Sequence, residues 1–234
     1  HPSGNESFQI NKIDPLNFGE TIWVIKPEDL SNIGAFFSSG IFSSSRTVAI
    51  SGDSLKSPKY YSTCIGASIS SLINSDEIND IKNYRFINGD PLSGSKVEYS
   101  EFLGFYNNSL SVIEEGNNYR MLGWLPFMYN SIPSFSKTSL SWLLGGAKKV
   151  NTNLNGEERA IVVTGEMEKY FPMDIFPMQL IKACMRGDIE KMESLGIYEV
   201  IPEDFGLVDF SCTSKIEAQE IIKSGIEIML KEVG

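Results

Sequence analysis

One short phrase occurs twice between Arg46 and Gly94, and it limits the folds open to that stretch more than any other feature. Val48-Ala-Ile-Ser-Gly-Asp-Ser-Leu-Lys-Ser57 is echoed by Arg85-Phe-Ile-Asn-Gly-Asp-Pro-Leu-Ser-Gly94. Each copy is a β-prone run closed by a Gly-Asp turn, where glycine tolerates positive φ at no steric cost. Lys59-Tyr-Tyr-Ser-Thr-Cys-Ile65 reads as a further strand, and Ile69, Leu72 and Ile73 fall at helical spacing. Strand, strand, helix, strand is the order of a small β-grasp unit. A chance echo between two ordinary turns is the competing reading. Asp53 and Asp90 are open to two roles, ligand contact or turn former, and Tyr60, Tyr61 and Phe86 lie near them in sequence.

On either side the pattern changes. Phe8–Ile13 alternates and Thr21–Ile25 is β-prone, so both are expected as strands. Lys26-Pro27-Glu28-Asp29 opens a helix: Pro suits a first turn and two carboxylates face the positive end of the dipole. Leu30, Ile33, Phe36 and Phe37 follow at helical spacing, and Gly40 stops it. This strand–helix pair reads as the closing part of an α/β layer whose earlier strands are absent. Ser109–Ile113 and Tyr119–Leu122 are expected as a hairpin. Trp124 to Phe135 is an apolar loop broken by Pro126 and Pro133; it either packs on its own domain or awaits a partner. Its candidate partner contacts are Trp124, Phe127, Met128, Tyr129 and Ile132. A short helix over Ser139–Leu144, a polar boundary over 148–158 and a strand over Arg159–Val163 come next.

From Glu166 the chain turns helical. Pro177 opens a helix ended by Gly187, Asp188 caps the next, and Pro202–Phe205 starts a short turn. Ser214-Lys-Ile-Glu217 has the form of a capping box ahead of a last helix striped by Ile222, Ile226, Met229 and Val233. A bundle of three or four helices is expected.

Composition narrows the chemistry. Thirty acidic against 20 basic side chains give a net charge of −10, with no basic cluster to gather phosphates, which argues against nucleic acid as a ligand. No apolar run nears the roughly 20 residues that cross a bilayer. The single histidine is His1, which leaves Ser-His-Asp and Cys-His catalysis without a base. Three cysteines far apart, Cys64, Cys184 and Cys212, suit a reducing compartment, and two in the helical part are too few for an iron–sulfur cluster. No catalytic, cofactor-binding or metal-ligating residue is assigned. Opening on His1-Pro2-Ser3-Gly4 without an initiating methionine, the chain is expected to be part of a longer polypeptide.

Several phrases together resemble one family, in the family's order and over essentially the whole chain. They include His1-Pro-Ser-Gly4, Thr21-Ile-Trp-Val-Ile-Lys26, Cys64-Ile-Gly-Ala-Ser68, Phe102-Leu-Gly-Phe-Tyr-Asn107 and Asn155-Gly-Glu-Glu-Arg-Ala160. The strongest is Gly165-Glu-Met-Glu-Lys-Tyr-Phe-Pro-Met-Asp-Ile-Phe-Pro177, followed by Pro202-Glu-Asp-Phe-Gly-Leu207. The family is NqrA, of the sodium-translocating NADH:quinone reductases. The resemblance implies an α+β chain in three parts. Residues 1–45 would end a Rossmann-like layer, 46–150 would form an SLBB-type β-grasp domain, and 151–234 would form a helical domain. That last part would be like the iron–sulfur domain of the complex I flavin subunit, without the cluster. Relatives hold that cluster through closely spaced cysteines; here Phe205–Lys215 keeps only Cys212, followed by Thr213. The implied role is a redox-silent, peripheral subunit on the cytoplasmic face of the bacterial inner membrane. It would dock on membrane subunits and support quinone reduction coupled to sodium export. Flavins and iron centres would lie in other subunits, and quinone is a candidate ligand. The alternative is a stand-alone β-grasp module that binds a small ligand without catalysis.

Overall fold

The doubled phrase builds a sheet in the computed structural model, which describes residues 2–73, 78, 81–117 and 149–233. Strands β1 (Ser45–Ser51) and β2 (Lys59–Cys64) pair antiparallel with Val48 opposite Tyr61. Strands β3 (Tyr84–Asn88) and β4 (Ser95–Val97) pair antiparallel with Phe86 opposite Val97. The fifth strand, β5 (Ser109–Glu114), enters between them, parallel to β1 and antiparallel to β3, so the order is β2-β1-β5-β3-β4. A central strand is covered on both faces, and Leu110 through Ile113 are all buried. Ser111 is tolerated there because its hydroxyl donates to the Gly89 carbonyl at 2.7 Å. The four-residue helix α3 (Ile69–Leu72) adds Ile69 and Leu72 to a core with Val48, Ile50, Phe86 and Leu110.

The two Gly-Asp turns need their glycines for different reasons. Gly52 has φ +138°, and a Cβ there would lie 1.9 Å from the Val112 carbonyl oxygen. Gly89 has φ +106°, and its nearest neighbour would be Gly94 Cα, at 3.3 Å. The echo is thus structural, and its first copy is a close crossing of two backbones.

Helical periodicity dominates the remaining residues. Compactness groups Ile25–Asn155 as one unit and His1–Val24 with Gly156–Gly234 as another, beside the three-part reading at 1–45, 46–150 and 151–234. In the second unit, α4 (Pro177–Arg186) ends on Gly187 in the left-handed conformation, and α5 (Ile189–Ser194) is capped by Asp188 accepting from Lys191 N–H. Helices α6 (Gly206–Ser211) and α7 (Ala218–Val233) complete it. Leu180, Ile181, Met192, Phe205, Val208 and Ile222 form its fully buried core. A Cβ on Gly225 of α7 would lie 2.5 Å from the Cys184 sulfur, so this glycine lets α7 lie directly against α4.

Four expectations are corrected. Residues 8–13 are not a strand: α1 (Glu6–Ile13) is a helix, held at its start by the buried Asp204, which accepts from Asn5 Nδ2 at 2.8 Å and Ser7 Oγ at 2.7 Å. Thr21–Ile25 and Arg159–Val163 form no strands. Both are β-prone, but among the described residues no neighbouring strand offers either a ladder, and β propensity expresses packing on a sheet more than a preference of the backbone. Ser214 is not the cap of the last helix. Its hydroxyl donates to the Ala160 carbonyl at 3.1 Å, and Asp209 takes the capping role, accepting from Ala218 N–H at 2.5 Å and Gln219 N–H at 3.3 Å. Asp209→Ala is therefore expected to cost about 1 kcal/mol through loss of the cap. Urea unfolding would check this; an unchanged midpoint would show that the two amides are satisfied elsewhere. Residues 119–122 and 139–144 fall outside the described residues.

A second prediction arises where the chain returns to the sheet at residues 151–152. Glu115 is gripped by Arg85 (Nε 3.0 Å, Nη2 2.5 Å) and by the Thr152 hydroxyl at 2.8 Å, while Thr152 Oγ1 accepts from Gly116 N–H at 2.7 Å. The Arg85 hydrogen bond, outweighing burial, holds the Glu115 carboxyl below its usual range. A depressed carboxylate contributes stability that is present above its unfolded pKa and is lost as pH falls through the folded value. Glu115→Gln should cost about 1–2 kcal/mol at neutral pH. The gap from the parent should close on acidification below the carboxylate range. Parallel melting curves at both pH values would check it, and a gap that persists in acid would contradict it.

Candidate functional site

The feature with the most capacity to act lies on α2 (Pro27–Ser39) and is set by its first turn. Pro27 starts the helix, and the two carboxylates behind it are engaged at the start of β1 and near the start of β5. Glu28 accepts from Thr47 N–H through Oε1 and from Asn108 Nδ2 through Oε2, both at 2.9 Å. Asp29 pairs with Arg46, whose guanidinium also donates to Asn108 Oδ1 at 2.6 Å. Arg46 is only 2% exposed, so its charge is matched inside the structure by Asp29. Lys26 Nζ adds a bond to the Tyr106 carbonyl at 2.8 Å. The helix is therefore pinned by a polar clamp at one end, and no residue along its length is buried among the described residues.

Consequently the apolar stripe read from the sequence faces outward. Leu30, Ile33, Phe36 and Phe37 are all exposed, Phe37 to 83%, with Ile25, Ile41 and Phe42 flanking them. Exposed apolar side chains at helical spacing on a held helix make this face a candidate contact surface. The periodicity made the stripe readable. Its exposure was not, because that depends on what does not cover it. The Arg46 clamp was also missed; the signal available was a pair of carboxylates at a helix start with an arginine 17 residues later.

A second concavity belongs to the other unit. A cavity of about 180 Å³ is lined mainly by apolar side chains, among them Ile10, Leu16, Ile22 and Val24, with Asn11, bonded to Glu199, as a polar member. Tyr198 also lines it and packs against Phe18, with ring centres 5.8 Å apart and ring planes tilted by 57°. Burial first, then the nearby Glu193 carboxylate, pushes the Tyr198 hydroxyl pKa up, so it stays neutral. The cavity has room for one small ring; its carboxylates are Glu6 and Glu199, and no histidine or cysteine lines it.

The residues singled out in sequence are scattered. Asp90 accepts from Leu92 N–H at 2.8 Å and Ser93 N–H at 3.1 Å, which makes it a turn former. Asp53 accepts distantly from Val150 N–H at 3.4 Å. Tyr60 is exposed, the Lys59 ammonium sits 4.8 Å from the Tyr61 ring centre, and Phe86 is buried against Tyr99. Cys64 is exposed while Cys184 and Cys212 are buried. Burial pushes the Cys184 thiol up to about 11, which keeps it protonated. Trp124, Phe127, Met128, Tyr129 and Ile132 lie outside the described residues. Among the described residues no group of three or more His, Cys, Asp or Glu is placed to hold a metal, and no helix is long and apolar enough to cross a membrane.

Comparison with known proteins gives these surfaces a setting. Residues 1–42 match the model of the NqrA second alpha/beta domain, and residues 47–99 match that of the NQRA C-terminal domain, an SLBB domain. The NqrA protein of the Na(+)-translocating NADH-quinone reductase of Neisseria meningitidis serogroup C is 34% identical over 99% of this chain and 52% of its own length. Its counterpart from Pasteurella multocida is 34% identical over 99% of this chain and 52% of its length. That of Rhodopirellula baltica is 32% identical over 99% and 51%. The chain spans about half the length of the curated relatives it matches.

Proposed function

Since this chain belongs to the NQRA family, we propose that it works as part of the NqrA component of a sodium-translocating NADH-quinone reductase. Its role is to dock on the pump's membrane subunits from the cytoplasmic face, supporting quinone reduction coupled to sodium export without carrying electrons itself. The observation that carries the reading is the alignment of 99% of this chain with NqrA relatives. The helical part is proposed as the counterpart of an iron–sulfur domain that has lost its cluster. The cysteine count supports this: Cys184 and Cys212, the two cysteines of that part, are too few to hold a cluster. Flavins and iron centres then belong to other subunits.

The apolar run holding Trp124, Phe127, Met128, Tyr129 and Ile132 is the proposed contact with those subunits. Deleting residues 126–132 should reduce recovery of the membrane subunits in a pull-down by at least about tenfold, the loss expected when an anchor cluster is removed. Undiminished recovery would reject this stretch as the contact. The purified chain should show neither flavin fluorescence nor stoichiometric iron; either one would overturn the redox-silent part of the reading.

A further inference from the structure

We propose that Asn155-Gly156 is a site of spontaneous covalent modification, at which the folded chain converts Asn155 through a cyclic imide to aspartate and isoaspartate, while the fold shields Asn88-Gly89 from the same reaction. The Asn-Gly pair occurs twice in the sequence. Glycine after asparagine leaves the backbone nitrogen uncrowded, so that nitrogen can reach the asparagine side-chain carbon. What separates the two pairs is how tightly each is held. Asn155 and Gly156 are both exposed and lie outside any helix or strand. Among the described residues neither the Asn155 side chain nor the Gly156 N–H is hydrogen-bonded. The nearest backbone bonds on either side are those of Thr152 N–H, 3.3 Å from the Glu114 carbonyl oxygen, and Arg159 N–H, 2.9 Å from that of Ser214. Asn88 is the opposite case. It ends β3, is 6% exposed, and stands between Ser95 of β4 and Leu110 of β5. The Gly89 N–H that would attack it donates to the Ser109 carbonyl at 2.9 Å. Cyclisation there requires the sheet to open first.

The loop geometry itself selects the reactive pair. Asn155 takes φ +51°, a left-handed conformation that asparagine tolerates better than most side chains. A Cβ on residue 156 would lie 3.0 Å from Lys215 Cε, so glycine leaves room for the lysine stem. One residue is set by a backbone angle and the next by packing, and their adjacency makes the chemistry. The Gly156 nitrogen bonds to Asn155 Cγ as the Cγ–Nδ2 bond breaks. Hydroxide takes the proton from the attacking nitrogen, and Nδ2, protonated by water, leaves as ammonia. Water then opens the imide. Attack at Cγ gives aspartate; attack at the main-chain carbonyl of residue 155 gives isoaspartate, whose backbone runs through the side-chain methylene. Water is consumed, ammonia is released, no electrons are transferred, and a new carboxylate appears beside Glu157 and Glu158. The inference rests on the loop and not on any role in the pump.

The test incubates the folded 234-residue chain at physiological temperature in mildly alkaline buffer. Both Asn-Gly pairs are followed by peptide mass mapping, with an isoaspartate-specific methyltransferase as the second readout. Product should accumulate at Asn155 at least about tenfold faster than at Asn88, the least protection expected of a buried sheet position over an unbonded loop. In urea, with both pairs unfolded, the two rates should converge to within about threefold. Asn155→Gly, which accepts the left-handed angle, should remove most of the methyl acceptance of the folded chain. Equal rates at the two pairs in the folded chain, or no product at Asn155, would overturn the proposal. So would a difference that persists in urea, which would assign it to the neighbouring residues and not to the fold. Unchanged methyl acceptance in Asn155→Gly would place the reaction elsewhere and overturn it as well.

Discussion

Gly52→Ala is expected to destabilise the five-stranded unit by about 3–5 kcal/mol, a loss reserved for backbone collisions and strained dihedrals. The methyl group would lie 1.9 Å from the Val112 carbonyl oxygen and 2.7 Å from its carbon, both backbone atoms in the central strand, and φ at Gly52 is +138°. Relief requires β1 and β5 to separate where Ser51 pairs with Ser111, which breaks the parallel contact of the sheet. Gly66→Ala is the matched control. Gly66 also has positive φ, +71°, but its Cβ would meet nothing within 4 Å, so only the left-handed strain of about 1–2 kcal/mol is expected. Calorimetric unfolding of the two variants should separate them clearly. Equal shifts would mean that β5 does not cross Gly52 as described.

In the helical unit the largest expected effect of a polar substitution falls on Asp204, which is 1% exposed. Its carboxylate accepts from Asn5 Nδ2, Ser7 Oγ and Ile201 N–H at 2.8, 2.7 and 3.0 Å. Asp204→Ala leaves three donors without an acceptor, two of them on or beside α1, and should cost about 3–5 kcal/mol. The loss should be uneven. Amides of residues 6–13 should exchange rapidly while those of α4 and α7 stay protected, since α4 and α7 are held by Leu180, Ile181 and Ile222. Asp204→Asn, which keeps one carbonyl acceptor, should recover part of the loss. Uniform protection across the unit in Asp204→Ala would show that α1 is held by apolar contacts alone.

These two sites illustrate what could be read in advance. The doubled Gly-Asp phrase revealed the sheet because turn chemistry is local: a residue needing positive φ announces itself beside the strand it ends. The close crossing at Gly52 joins it to Val112, 60 residues on, and no local signal carries it. Helices α2, α4, α5 and α7 were readable from periodicity, with Pro27, Pro177, Gly40 and Gly187 marking their ends. The errors share one cause, which is that tertiary partners decide. Phe8–Ile13 alternates like a strand, but Asn5 and Ser7 find Asp204 across nearly 200 residues, and the helix lets them. Ser214-Lys-Ile-Glu217 has capping-box form, yet Lys215 takes φ +53° and the serine turns to Ala160, leaving the helix start to Asp209. The α2 stripe was visible and its exposure was not, because burial belongs to the assembly and not to the segment.

Copurification tests the central claim most directly. A tagged polypeptide carrying these 234 residues, purified from cells that express the remaining subunits of a sodium-translocating NADH-quinone reductase, should bring the membrane subunits with it in fixed ratio. The isolated complex should then oxidise NADH with quinone, with crosslinks to the neighbouring subunits mapping to residues 124–132. A polypeptide that elutes alone, while the other subunits assemble and pump sodium without it, would contradict the account.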